Sequence, residues 1–206
     1  MTFSNDEIKI LALEVEKRLS RKRFLHTQGV VKMAEKLSGY CLPYKTDELL
    51  CAAYLHDVTK ELPISEHIKL LSEGGAILSD EDMRTEAILH AFSAYYVIKR
   101  DFPKFSTDDV LSAVYNHTIG SPDMTVFDEI IFLSDYIEET RSYESSIKLR
   151  EYVMRDLTEG AYEKNIKLLH KACIIAIDNT VLHLIKEKKA INTKNILTRN
   201  ALLGKI

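Results

Sequence analysis

The sequence predicts an all-α protein on three observations. Apolar residues recur at helical spacing along nearly the whole chain, no segment sustains period-2 alternation, and no Asn-Gly or Asp-Gly pair marks a tight hairpin. The first helix follows the capping-box pattern Ser4-x-x-Glu7 and carries the stripe Ile8, Leu11, Ala12, Val15 and Leu19. A second is predicted from about His26 to Tyr40 with Val30, Ala34 and Leu37 inward. A third runs from Thr46, its N-cap, through Leu49, Leu50 and Ala53 to His56, after a loop holding Pro43.

Beyond Leu62-Pro63 a short helix carries Ile64, Ile68 and Leu71 and stops at Gly74-Gly75. The next spans Asp82 to Arg100 and buries Ile88, Leu89, Phe92, Tyr96 and Ile98. Ser106-x-x-Asp109 opens a helix through Val110, Val114 and His117, and Thr125-x-x-Asp128 opens one through Ile130, Ile131 and Ile137, with Gly120-Ser121-Pro122 between them. The last third reads as helices from Ser146 to Leu157, from Thr158 to Lys189, and from Asn192 or Thr193 onward.

Composition fits one globular unit. Of 206 residues, 46% are hydrophobic, and 7 Gly with 4 Pro are too few for a disordered or low-complexity chain. No repeat or linker tract divides it, so residues 1–206 are expected to form a single domain. With 28 Lys and Arg against 31 Asp and Glu, the formal charge is -3, which argues against nucleic acid or an anionic membrane as partner. An anionic ligand would need a local site. Cys41, Cys51 and Cys173 are odd in number and widely spaced, as expected of reduced thiols in a cytoplasmic protein. Ser4-Asn5-Asp6-Glu7 leads into an amphipathic helix rather than a signal segment.

The chemistry lies in the histidines. His26, His56, His90, His117 and His170 fall in segments with apolar helical faces, and His56 is followed at once by Asp57. Successive positions on a helix point about 100° apart, so both side chains can reach one ion. Asp135 sits among Ile131 and Phe132. A lone His on an apolar face is ordinarily a hydrogen-bonded core residue, and an Asp there can simply face water. Six such positions together would leave several imidazoles and two carboxylates unpaired unless a cation holds them. His67, His170 and His183 match no ligand position and read as structural or exposed. Met124 and Tyr136 read more readily as core than as a nucleobase pocket, and the basic run from Lys186 to Lys189 as a solvated helix end.

His26, the pair His56-Asp57 and Asp135 reproduce the H…HD…D pattern of the HD-domain metal-dependent phosphohydrolases. His90 and His117 look like the extra ligands of its dinuclear subgroup. More narrowly, Arg23 to Val30, Leu55 to Lys60, His117 to Gly120 and Asp135 to Arg141 resemble the bacterial YqeK-type symmetrical diadenosine tetraphosphate hydrolases over about residues 18–157. Ile119 and the Glu139-Thr140 pair depart from that family's usual Thr and Pro without replacing a ligand.

The resemblance implies an HD helical bundle with residues 158–206 packed on it. It also implies two divalent ions, with iron favoured over Mn, Co, Ni or Zn. One ion would take His26, His56, Asp57 and Asp135, and the other His90, His117 and the second oxygen of Asp57. A water activated between them would attack a phosphoanhydride and give two ADP. Asp57 and Lys60 are the expected catalytic residues. Arg23, Lys60 and Arg141, with Thr118 and Gly120 after His117, are expected to bind phosphate. The expected ligands are a dinucleoside polyphosphate and a product of the ADP or GDP type, and a homodimer stays open. The alternatives are another HD-type nucleotide phosphohydrolase, acting on a nucleoside di- or triphosphate or a cyclic dinucleotide, and a non-catalytic metal-dependent nucleotide sensor.

Overall fold

A computed structural model describes residues 3–206, and among these the secondary structure is helical with no strand. The helices are α1 Asn5–Glu16, α2 Arg21–Cys41, α3 Thr46–Leu55, α4 Ile64–Glu73, α5 Asp80–Arg84 and α6 Leu89–Asp101. They continue with α7 Asp108–Asn116, α8 Val126–Ile137, α9 Glu144–Asp156, α10 Tyr162–Lys186 and α11 Thr193–Leu203. The all-α expectation holds.

Helix α8 is the axis of the bundle. Its Ile130, Ile131, Leu133 and Ile137 are fully buried, and α2, α3, α7, α9 and α10 pack around it. Thr125 and Asp128 form the capping box read from the sequence, so the helix starts where the pattern placed it. Helix α10 is long and apolar enough to cross a membrane by composition alone, but Leu168, Leu169, Ala172, Cys173, Ile174, Ala176 and Ile177 are buried against neighbouring helices. The three cysteines are buried and free.

The boundaries that differ have local causes. Helix α2 begins at Arg21, a full turn before His26, because the Ser20 hydroxyl accepts from the Arg23 amide at 3.2 Å. Its basic first turn lacks the apolar stripe that marks helices in sequence. The helix expected over Asp82 to Arg100 is broken at Thr85, which leaves helical geometry at φ -100°, ψ 71°. Helix α7 is capped by Thr107 rather than Ser106, whose hydroxyl instead donates to the Pro103 carbonyl at 2.7 Å. Helix α10 starts at Tyr162 because Thr158 to Ala161 is a turn, with Gly160 at φ +74° and Asn165 bonded to both backbone groups of Thr158.

Helix α11 fastens distant parts of the chain. The Asn195 amide and the Thr198 hydroxyl point to the Ile119 carbonyl, and Lys194 and Asn192 bind the buried Asp82 of α5. Burial opposes ionisation of Asp82, but the hydrogen bonds from Lys194, Asn192 and Ser79 outweigh it and lower its pKa. A depressed carboxyl contributes stability that is present above the unfolded value near 4 and is lost as pH falls through the folded value. Lys194→Met is therefore expected to cost about 1 kcal/mol at pH 7, after allowing for the partial exposure of Lys194, and less at pH 3. Urea unfolding at the two pH values checks this, and equal losses at both would sink it.

Candidate metal centre

Two helix ends build the heart of the site. His56 and His117 stand just past the last residues of α3 and α7, where helical carbonyls lack amide partners. Each imidazole turns its Nδ1 back to a carbonyl of its own last turn, His56 to Ala53 and His117 to Val114, both at 2.7 Å. A carbonyl only accepts, so Nδ1 carries the proton and Nε2 is left with a free lone pair facing inward. His26 enters from α2, His90 from the first turn of α6, and Asp135 from α8. The four rings form a chain, with centroids 5.5 Å apart for His26 and His56, 5.1 Å for His56 and His117, and 5.0 Å for His90 and His117.

Asp57 lies at the centre of this chain. Its Oδ2 is 3.4 Å from His56 Nε2 and 3.7 Å from His26 Nε2, while its Oδ1 is 3.2 Å from His90 Nε2 and 3.7 Å from His117 Nε2. One carboxylate thus presents one oxygen to each pair of imidazoles. Asp135 Oδ1 is 3.0 Å from His26 Nε2. The donor atoms of His26, His56 and Asp135 lie within 4.8 Å of one another, as do those of Asp57, His90 and His117.

These residues fit divalent cations. The Nε2 atom of His56 is buried with no hydrogen-bond partner, a costly arrangement for a lone pair beside a carboxylate unless a cation accepts it. The donor set is imidazole and carboxylate without thiolate, which suits borderline transition metals. Burial opposes ionisation of Asp57 and Asp135. The surrounding histidines still hold Asp57 well below the usual carboxylate range, and Arg141 and His26 do the same for Asp135. Burial also opposes charge on His26, but the carboxylates of Asp135 and Glu138 at its two nitrogens outweigh it and raise its pKa to about 9. That position favours a cation. Burial, helped by the neighbouring His117 and Lys60 and opposed by the Asp57 carboxylate, lowers His90 to about 4 and keeps it neutral, the form in which imidazole ligates.

Three cations converge on the same carboxylates. Arg23 Nη1 donates to Asp57 Oδ2 at 2.8 Å, and Arg141 pairs with the Asp135 carboxylate while its Nε donates to the Asp135 carbonyl at 2.9 Å. Lys60 is not on a continuing helix: α3 stops at Leu55, and Asp57 to Lys60 form successive turns, with the Lys60 amide bonded to the Asp57 carbonyl at 2.9 Å. The turn still delivers Lys60 Nζ to within 3.2 Å of the His90 ring. Thr118 follows His117 with its hydroxyl buried and unpartnered. Gly120 is at φ +73° beneath Thr198 and Met124, in a turn closed by α11. Met124 is core, and Tyr136 is half-buried with its hydroxyl donating to Ser145. His67 and His170 are buried on Ser93 and Glu129, and His183 is exposed, so none joins the cluster.

Sequence reasoning missed Glu138. Its carboxylate is fully buried, 3.0 Å from His26 Nδ1, and accepts from the Thr140 amide at 2.6 Å and from the Thr140 hydroxyl. Arg150 of α9 holds the Glu138 carbonyl at 2.6 Å. The available signal was Gly29, a glycine inside a helix one turn after His26, where such a residue costs about 1 kcal/mol and marks a close approach. A Cβ there would lie 2.2 Å from Glu138 Oε2. Thr59 was missed too: it donates to the His90 carbonyl at 2.7 Å and accepts from Ser93, fixing the turn against α6.

Known proteins resemble this chain in sequence and fold. The HD domain family model matches residues 23–140, which contain all six clustered residues. A symmetrical bis(5'-nucleosyl)-tetraphosphatase of Halalkalibacterium halodurans is 33% identical over 92% of this chain and 93% of its own length. The Bacillus subtilis enzyme of the same name is 28% identical over 92% and 94%. A crystal structure from Clostridium acetobutylicum, described as a predicted HD superfamily hydrolase involved in NAD metabolism, superposes with a TM-score of 0.81 at 28% identity over 100% of both chains. The pattern of four histidines and two aspartates thus sits within the matched domain, on a fold shared over its full length, and this chain belongs to the HD domain family.

Proposed function

We propose that this chain is a metal-dependent hydrolase that cleaves diadenosine tetraphosphate at its central anhydride to two ADP. The observation that carries the reading is Asp57, with one oxygen toward each imidazole pair and three cationic side chains around it. His26, His56, Asp57 and Asp135 would hold one divalent ion, and His90, His117 and Asp57 the other, iron being favoured. Ions held there supply Lewis acidity toward phosphate oxygens and lower the pKa of a neighbouring water.

The chain's own residues do the rest. Glu138 accepts from His26 Nδ1 and so fixes which nitrogen of that ring faces the site. Arg23, Lys60 and Arg141 offer donors to the tetraphosphate, with Lys60 placed to offset charge developing on the phosphate leaving from the central bond. Burial lowers the Lys60 pKa, against the opposing pull of Asp57 and Asp135. Thr118, whose buried hydroxyl has no partner, would add a phosphate contact beside His117, and Gly120, covered by Thr198 and Met124, shapes the turn that holds it. The names of the relatives support the substrate, and the balanced charge with buried free thiols supports a cytoplasmic protein.

An anaerobic assay with diadenosine tetraphosphate, with products resolved by chromatography and metal measured on the same sample, tests this directly. ADP as sole product with about two metals per chain is expected. AMP plus ATP, or no product at full metal occupancy, would overturn the symmetrical assignment.

A further inference from the structure

One cavity of about 460 Å³ opens on the candidate metal centre from outside, and His26 and Glu138 lie at its inner end. Arg23 and Arg141 line it, each already tied to a site carboxylate. Two further lining residues have no such engagement. Lys22 makes no ion pair among the described residues, and Tyr143 makes no hydrogen bond through its phenol and no ring contact. Tyr143 is 67% exposed, yet its backbone is fixed as the N-cap of α9, its carbonyl accepting from the Ile147 amide at 3.0 Å. Exposure alone would not single it out, since Tyr44 is more exposed elsewhere. Its distinction is that an unpaired ring and an unpaired ammonium share one cavity with a metal-site histidine.

A dinucleoside tetraphosphate has two bases at the ends of a flexible anionic tether. If the central anhydride lies at Asp57, one nucleoside half must extend outward past the cations. Within this cavity, the groups suited to that half are a cation for phosphate and an aromatic face for a base. Of the two carboxylates that line the cavity, Glu61 is occupied by the Ser20 amide and hydroxyl, both at 2.6 Å, and Glu138 by His26 and Thr140. We propose that this cavity is the subsite for the outer nucleoside, with Tyr143 stacking on its base and Lys22 pairing with the adjacent phosphate. The proposal rests on the function proposed above and adds a recognition element for the second base. Stacking of this kind is tolerant of base identity, because every base has a π-face, so the outer base would be loosely selected.

The test is calorimetric titration of the metal-loaded protein with diadenosine tetraphosphate carrying a methylene bridge at the central position, which binds but cannot be cleaved there. Adenosine tetraphosphate, with one base only, is titrated in parallel. Tyr143→Ala is expected to raise Kd for the two-base ligand roughly 5- to 20-fold, while Tyr143→Phe stays within about twofold of the wild type. The one-base ligand should be nearly insensitive to Tyr143→Ala. An unchanged Kd for the two-base ligand, or equal losses for both ligands, overturns the subsite alone. Failure of the wild-type protein to bind the two-base ligand overturns the proposed function and the subsite with it.

Discussion

Asp57→Ala is expected to reduce turnover of diadenosine tetraphosphate by more than about 10³-fold, beyond the range usually lost with one charge-stabilising donor. The reason is its position: 2% exposed, it is among the described residues the single group whose two oxygens face both imidazole pairs. Removing it takes a ligand from each proposed ion at once. It also leaves the Arg23 guanidinium, which donates to Asp57 Oδ2, facing the imidazoles without a counter-charge. Metal content should fall with activity. Asp57 lies in the turn after α3, so the far-ultraviolet circular dichroism should remain that of a helical protein. Asp57→Asn keeps the side-chain volume and guards against a folding artefact, and it should lose metal and activity likewise. Full turnover by either variant after metal depletion would falsify the assignment of Asp57 as the shared ligand.

Much of this site was legible in the chain because its candidate ligands interrupt apolar helical faces. His26, His56, His90, His117 and Asp135 each sit where periodicity calls for a core residue, and the four histidines are buried while Asp135 is partly exposed. Helix starts were legible where a hydroxyl and an acidic residue lie three apart, as at Ser4 and Thr125. The sequence reading failed where the deciding contact is remote. Asp82 resembled part of a long helix, but it is drawn to Lys194 and Asn192, 110 or more residues away, and the helix breaks at Thr85. Lys60 reached the expected neighbourhood by turns rather than by a helix, so a correct location came from an incorrect local geometry.

Glu138 shows the same limit at the level of chemistry, and it carries the second large expected effect. It binds a histidine 112 residues earlier, and no local spacing announces that pairing. Gly29→Ala tests it without substituting either partner. By helix propensity alone the change should stabilise α2 by about 1 kcal/mol, because glycine is a poor interior helix residue. Here the new Cβ would meet Glu138 Oε2 at 2.2 Å, in a carboxylate that is fully buried and already committed to His26 and Thr140. The carboxylate must move, and His26 then loses the acceptor that fixes its Nδ1 proton and aims its Nε2. Metal affinity is expected to fall about 10- to 100-fold, the usual cost of losing such a ligand-orienting contact. Glu138→Gln, which keeps the volume and an acceptor oxygen but not the charge, should lie between Gly29→Ala and the wild type. Metal titration separates positioning from simple destabilisation: excess metal should restore turnover in Gly29→Ala if Glu138 acts through His26. A Gly29→Ala protein that binds metal as tightly as the wild type would remove Glu138 from the functional machinery and leave it a packing residue.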